Sequence, residues 1–326
     1  MYNKLLVSSI ILALIVVVLG AYTRLSDAGL GCPDWPGCYG KIIVPDMADG
    51  TQIEGYERPL EVAKGWKEML HRYAASTLGL FILILWLLAL KGKTPHAQSM
   101  VLPSFTALFV MLQGAFGMWT VTLMVHPGIV TTHLVGGFIT SALLVWLYLN
   151  QNRRTLIDRH ILKRHKYLLL LVLFALSVQV ILGGWTSTNY AALSCGDQFP
   201  TCLDAWWPNM DFSKAFYFGP IGSEYNYEYG VLENQARAAI QMMHRMGALV
   251  VTILIPLLLV LLGRYAHLKD NLTLVWGLLI AQVLLGILNV MLSLPMTIAV
   301  LHNAVALLLL LSIVILIHRV FKKESF

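Results

Sequence analysis

The segments Glu68–Arg72 (EMLHR) and Gln241–Arg245 (QMMHR) decide the fold, because the same helical pattern occurs in both halves of the chain. Each lies near the start of an apolar segment, and each half has a second histidine in a later apolar segment, His133 or His302. An imidazole inside a hydrocarbon layer is costly, so it usually has a partner, a ligand or a function. The four histidines predict two sites with two histidines each.

The composition indicates a membrane protein. The chain has 326 residues, of which 58% are hydrophobic and only 12% are charged, and its mean hydropathy is +0.71. Soluble domains carry about 25% charged residues. The net charge of +6 is explained by its distribution between loops, so no nucleic-acid partner is expected.

The hydropathy pattern predicts an all-α polytopic fold with eight transmembrane helices, because a crossing needs about 20 apolar residues. Long polar loops of about 23–67 and 188–237 follow the first and fifth helices. The predicted spans are about 5–22, 69–90, 100–123, 128–149, 167–187, 238–262, 273–292 and 297–317.

Lysine and arginine predict the orientation. They are concentrated at the N-terminus, at the C-terminus and in the 91–99, 150–166 and 263–271 loops. The positive-inside rule places this side in the cytoplasm. We therefore expect a multi-pass protein of a bacterial or archaeal cell membrane, with both termini cytoplasmic and the long loops and histidines toward the outer side.

The chain contains an internal repeat. Short motifs recur in the same order in both halves, before the long loop, within it and in the following helices. The repeat predicts an N-terminal half (1–149), a cytoplasmic linker (150–166) and a C-terminal half (167–326). Each half is a four-helix bundle, and a pseudo-twofold axis along the membrane normal relates the two. The recurring pairs are Gly20–Thr23 with Gly183–Thr186, Cys32–Cys38 with Cys195–Cys202, and Gln113–Gly117 with Gln282–Gly286.

The four cysteines form two close pairs, one in each predicted outer loop. An outer compartment permits oxidation, and the spacing is longer than that of typical zinc knuckles. We predict the disulfides Cys32–Cys38 and Cys195–Cys202. The absence of a C-x-x-C-H motif argues against covalently attached haem.

The histidine pairs favour a haem or a similar macrocycle. Cofactors of four-helix bundles are held between facing helices, and two imidazoles complete a six-coordinate haem iron. Polar helix contacts and a metal without a macrocycle are the alternatives. Arg72 and Arg245 directly follow histidines, so they can contact haem propionates or extend to the membrane interface.

The two halves differ where Glu68 corresponds to Gln241. Each residue precedes its histidine by three positions, so on a helix it faces the same site. A carboxylate can carry a proton or stabilise positive charge, which the glutamine cannot do. This difference predicts chemistry in the N-terminal half, although a first-turn glutamate favoured by the helix dipole is the alternative.

Taken together, the eight spans, the Glu68–Arg72 and Gln241–Arg245 segments, His133 and His302 resemble the haem A synthase family. The resemblance covers nearly the whole chain. It extends to three segments of the outer loops, which are Thr23–Ser26, Gly31–Pro36 and Asn189–Leu193.

This resemblance implies oxidation of the C8 methyl group of haem O to a formyl group by successive hydroxylation. His244 and His302 would bind a haem b cofactor, His71 and His133 would receive the substrate haem, and Glu68 would be the catalytic carboxylate. A haem O synthase is the implied supplier of the substrate. The resemblance does not identify the electron donor, and it leaves open whether the protein forms a homo-oligomer.

Two alternatives from other functional classes also fit eight helices. A di-haem b electron carrier that interacts with quinone needs the same histidine pairs, but would place its haems near opposite membrane faces. A transporter built from parallel repeats would have broken helices inside the membrane, which the sequence does not indicate. His126 has no predicted role.

Overall fold

The computed structural model describes residues 1–96, 98–151 and 159–321. Residues 152–158, which belong to the predicted cytoplasmic linker, lie outside the described residues, as do residues 322–326. Within the described ranges the regular secondary structure is helical, apart from two isolated β-bridges in the outer loops.

Eight helices of the described chain are long and apolar enough to cross a membrane. This confirms the predicted all-α polytopic membrane protein. A ninth, short helix lies in the second long loop. The helices are α1 (Tyr2–Leu25), α2 (Val62–Leu90), α3 (Val101–Thr122), α4 (Pro127–Gln151), α5 (Arg159–Thr188), the short α6 (Phe212–Ala215), α7 (Asn234–Leu262), α8 (Lys269–Met291) and α9 (Met296–Phe321).

The two helices that carry the His-Arg pairs (His71–Arg72 and His244–Arg245, the HR motifs) begin earlier than predicted. Helix α2 starts at Val62 and α7 at Asn234, whereas the hydropathy pattern placed their spans from about 69 and 238. Lysine, glutamine and arginine in these first turns are good helix formers, yet they lower the hydropathy on which a span prediction depends. As a result, Glu68 lies in the second turn of its helix.

The helices of the two halves pack in the same order. In the first half α1 contacts α2 and α4, and α3 contacts α4; in the second half α5 contacts α7 and α9, and α8 contacts α9. Helices α4 and α9 also contact each other across the boundary between the halves. The largest cluster of buried apolar side chains lies mostly in the second half but includes Val17, Phe138 and Val145 of the first. The halves therefore share a core.

The two long loops repeat as the helices do. The disulfides Cys32–Cys38 and Cys195–Cys202 are both present, which confirms the predicted pairing. After each disulfide the chain turns back in the same way, through paired backbone hydrogen bonds of Cys38 with Lys41 and of Cys202 with Ala205.

Polar contacts join the two halves at the ends of the helices from which the two long loops begin. The guanidinium of Arg24 lies 4.1 Å from the ring centroid of Tyr190, whose hydroxyl donates to Asp27 at 2.8 Å. Burial raises the pKa of Tyr190, so the hydroxyl keeps the proton that it donates. A salt bridge of 2.6 Å between Arg58 and Glu228 links the long loops themselves.

We predict that no cysteine of the unreduced, denatured protein reacts with a maleimide, because both pairs are oxidised. Four labels per chain are expected after reduction, one for each cysteine of the sequence. Mass spectrometry of intact protein measures both states. A single label before reduction would contradict the assigned pairing.

Candidate functional site

His71 on α2 and His133 on α4 face each other inside the first half. Their ring centroids are 6.4 Å apart and the ring planes are perpendicular. An ion bound at about 2 Å from one nitrogen of each ring would hold the centroids roughly 6 Å apart. The pair therefore has the spacing of two axial ligands of a single ion.

Each of the four histidine rings packs against a glycine of a neighbouring helix. A Cβ atom added to any of these glycines would lie 2.9 to 3.2 Å from Cε1 of the ring, which is too close for an alanine without displacement. The same contact thus recurs at all four positions, and the absence of a side chain on the glycine leaves room for each ring. The pairs are Gly20 with His71, Gly117 with His133, Gly183 with His244, and Gly286 with His302.

Both histidines of the second half have a glutamine partner. Gln179 Nε2 lies 3.0 Å from Nδ1 of His244, and Gln282 Nε2 lies 3.3 Å from a ring nitrogen of His302. Nε2 of Gln179 also donates to the backbone carbonyl of His244 at 3.0 Å, which fixes the position of the amide beside the ring. The glutamines thus hold the orientation of the two imidazoles, as the outer partners of metal-bound histidines do.

Only one histidine of the first half is held in this way. Gln113 Nε2 lies 3.0 Å from Nδ1 of His133. Next to His71, the repeat places Val16 where the second half has a glutamine, and His71 Nδ1 is buried without a hydrogen-bond partner. The first half therefore has one imidazole with a glutamine partner and one without.

The carboxylate of Glu68 is buried and both of its oxygens are occupied. Oε2 accepts from the backbone N–H of Cys32 at 2.8 Å, and Oε1 accepts from Arg72 at 2.5 Å. In the second half the corresponding oxygen, Oε1 of Gln241, is buried without a partner. Glu68 thus attaches the first disulfide loop to the helix that carries His71.

The two arginines of the HR motifs contact the disulfide loops. Nη1 of Arg72 donates to the carbonyl of Asp34 at 2.9 Å, and Nη1 of Arg245 donates to the carbonyl of Thr201 at 2.9 Å. Nε of Arg245 is buried without a partner. Each arginine thus has a role in holding its loop, and a propionate contact stays a prediction.

His126 lies in the turn between α3 and α4, outside the two histidine pairs. Its ring contacts Tyr227 edge to face, with the centroids 4.9 Å apart, and its Nδ1 accepts from the N–H of Gly128 at 3.2 Å. This buried contact seats the second outer loop against the first half.

The donor set fits a haem better than a protein-bound metal. Among the described residues no group of three or more His, Cys, Asp or Glu side chains is placed to hold a metal ion. Two imidazoles suffice when a macrocycle supplies the other four ligands of iron. The buried unpaired Nδ1 atoms of His71 and His302 are ring nitrogens of the kind that can ligate iron.

Comparison with known proteins decides the family. The model of the COX15-CtaA family, described as cytochrome oxidase assembly protein, matches residues 3–314. The chain is 45% identical over 322 residues to the haem A synthase of Shewanella oneidensis, covering 97% of this chain and 96% of the relative. The chain belongs to the haem A synthase family.

More distant members of the family are similar over most of their length. The haem A synthase of Rhizorhabdus wittichii is 27% identical over 328 residues, which cover 92% of this chain and 88% of the relative. That of Halalkalibacterium halodurans is 26% identical over 271 residues, covering 80% and 76%. These similarities do not favour the di-haem electron carrier that the histidine pairs alone left open.

The sequence prediction missed the residues that surround the histidines. Gln113 and Gln282, like the four glycines, belong to motifs that identified the repeat, but no structural role was inferred for them. Gln179 matches a valine in the other half, so no repeated motif marked it. Only the packing of α5 against α7 brings it to His244.

We predict that Gly286→Ala removes most of the haem bound by the second half, because the new methyl group would lie 3.0 Å from the ring of His302. The control is Gly277→Ala on the same helix, where a Cβ meets no atom within 4 Å. The pyridine haemochrome assay measures haem per purified chain. Equal haem content in the two variants would contradict the role of the glycine contact.

Proposed function

We propose that this chain oxidises the C8 methyl group of haem O to the formyl group of haem A in its first half, with a haem b cofactor in its second half. The family membership supports an oxidoreductase that converts haem O to haem A. The observation that supports the division of labour is the difference between two otherwise equivalent histidine pairs.

In this proposal His244 and His302 are the axial ligands of haem b. Both have glutamine partners, which hold the orientation of the two rings. A bound haem b would supply one-electron transfer. The paired imidazoles keep this site in one geometry, which suits a permanent cofactor.

His71 and His133 receive the substrate haem, in line with their centroid distance of 6.4 Å. Each of two successive hydroxylations takes one oxygen atom from dioxygen, while two electrons from the donor and two protons reduce the other atom to water. The methyl group thus becomes a gem-diol, and loss of water leaves the formyl group. Because His71 lacks the glutamine partner that the other three rings have, we propose that this ring is the one that releases the substrate. His133, supported by Gln113, would stay oriented.

Glu68 is the proposed catalytic carboxylate. In a site of low dielectric it would carry a proton or stabilise positive charge that develops on the substrate. Its contacts with Arg72 and the N–H of Cys32 hold it in a fixed position. The same contacts favour a second role, in which Glu68 only attaches the disulfide loop to α2.

The proposed setting is a bacterial cell membrane, with both termini in the cytoplasm and the long loops and haem sites toward the outer side. The relatives compared above are bacterial, and the charge distribution supports this orientation. A haem O synthase would deliver the substrate from within the same membrane. An electron donor is also required, and a homo-oligomer is compatible with the proposal.

We predict that His244→Ala and His302→Ala each abolish the b-type absorption spectrum of the purified protein, because each removes one axial ligand. His126→Ala is the control, since it removes a buried histidine from outside the two pairs. Reduced-minus-oxidised spectra measure the effect. A wild-type spectrum in either ligand variant would contradict the cofactor assignment.

Glu68→Gln should retain the b-type haem and lose most of the haem A production. The amide oxygen can still accept from Cys32 N–H, whereas the negative charge is lost. Haem extraction and chromatography after co-expression with a source of haem O give the product yield. Glu68→Ala provides the comparison, because it removes both the charge and the loop contact. If Glu68→Gln produces haem A normally and only Glu68→Ala fails, the loop attachment is the function of this residue.

A further inference from the structure

Each disulfide belongs to a short hairpin that displays large apolar side chains on the protein surface. The disulfide hairpins are residues 32–43 and 195–207, and each is closed by its disulfide and by the backbone hydrogen bonds that follow it. When Cys38 is aligned with Cys202, three exposed apolar positions of one hairpin match three of the other. The exposed fractions are 44% for both Trp35 and Phe199, 82% and 73% for Ile42 and Trp206, and 56% and 61% for Ile43 and Trp207.

Polar contacts fix the backbone that carries these six apolar side chains. In the first hairpin the carboxylate of Asp34 accepts from the N–H of Tyr39 at 2.6 Å and from the N–H of Gly40 at 2.7 Å. In the second hairpin Gln198 bonds both the carboxylate and the N–H of Asp204, each at 2.7 Å. Each half therefore presents the same apolar surface on a well-held turn.

The arginines of the HR motifs hold both hairpins beside their helices. Arg72 donates to the carbonyl of Asp34 and Arg245 to that of Thr201. At the rise of an α-helix these arginines lie about 15 and 17 Å from the first residues of α2 and α7. They also lie inside the apolar spans, which the hydropathy pattern places from about 69 and 238. The hairpins therefore fold back along the helices, toward the level of the histidines.

A further contact places the first hairpin next to a surface of α2 that faces lipid. The hydroxyl of Tyr73 donates to the carbonyl of Ile42 at 2.6 Å. Trp66, Leu70 and Tyr73 are spaced by four and three residues, so they share one face of the helix. Trp66 and Leu70 are exposed, and an exposed apolar face of a membrane-spanning helix contacts lipid. The exposed side chain of Ile42 thus continues this face.

Residue type and position favour lipid over water or another protein. Contiguous exposed apolar surface marks a contact with a protein or a membrane. Half of the six side chains are tryptophan, which is enriched where lipid headgroups meet acyl chains, and exposed Lys41 can extend its ammonium group to headgroup phosphates. Because the hairpins occupy equivalent places in the two halves, a bilayer covers both, whereas a single protein partner would cover one.

We propose that both disulfide hairpins insert into the membrane leaflet nearest the long loops. The six apolar side chains contact phospholipid at the boundary between headgroups and acyl chains, as the apolar faces of interfacial segments do. The inference concerns how the protein is seated in the bilayer, and it does not depend on the proposed reaction. It gives the hairpins a second attachment, to lipid, besides the one to the helices.

Ile43→Cys and Trp207→Cys test the proposal, one in each hairpin. Each variant carries one free thiol, because the four natural cysteines are paired in disulfides. The thiol is labelled with a polarity-sensitive fluorophore, and the full-length protein is placed in phosphatidylcholine nanodiscs. The emission should shift to shorter wavelength than that of the free label in water. Lipids with a nitroxide near the glycerol end of the acyl chain should quench it, and aqueous iodide should not.

Three matched positions calibrate the measurement. Glu54→Cys and Ser223→Cys label exposed positions of the two long loops outside the hairpins, where iodide should quench and the nitroxide lipids should not. Leu80→Cys labels the exposed face of α2 and gives the signal of full lipid contact. Iodide quenching at both hairpins equal to that at Glu54 would place them in water. A shifted emission without quenching by the nitroxide lipids would assign the surface to a protein contact. Either result overturns the proposal.

A second measurement uses the wild-type protein and does not depend on the folding of a variant. Nanodiscs contain a phosphatidylcholine with a photoactivatable group at the glycerol end of one acyl chain, and labelled peptides are identified by mass spectrometry after illumination. Labels should fall within residues 35–43 and 199–207 as well as on the membrane-spanning helices. Labels confined to the helices would overturn the insertion of the hairpins.

Discussion

The contact between an imidazole ring and a glycine of the next helix is the constraint on which the rest of the structure depends. A histidine inside an apolar bundle needs both space and a hydrogen-bond partner. The glycines of α1, α3, α5 and α8 provide the space, and glutamines provide most of the partners. Each contact requires its two helices to approach closely. The four contacts therefore constrain how the helices of each unit are arranged. The arginines and Glu68 then attach the outer loops to the same helices.

Much of this arrangement could be predicted from the sequence, because it depends on the lengths of apolar segments and on repeated motifs. Apolar length located the eight helices, and the repeat matched the histidines and the cysteine pairs. The first turns of α2 and α7 were missed because their polar and charged residues lower the hydropathy to a value typical of loops. The loop contacts of Arg72 and Arg245 were missed because backbone carbonyls leave no trace in the residue types. Gln179 was missed because its match is Val16, so the repeat itself gave no signal.

The repeat shows which positions of the two halves correspond. The differences between corresponding residues are the basis of the proposed function. Gln179 gives His244 a glutamine partner, and Val16 at the matching position leaves His71 without one. Glu68 is ionisable, whereas its counterpart Gln241 is neutral. Both differences support the proposal that the second half holds the permanent ligand and the first half the substrate.

The shared core between the halves has an evolutionary consequence. Val17, Phe138 and Val145 of the first half lie in the same apolar cluster as the helices of the second, so the face that joins the halves is part of the largest core. A single-half ancestor with this fold would have buried the same face against a second copy of itself, forming a homodimer with two identical haem sites. Gene fusion would then have allowed the two copies to specialise, which a symmetric dimer encoded by a single gene cannot do.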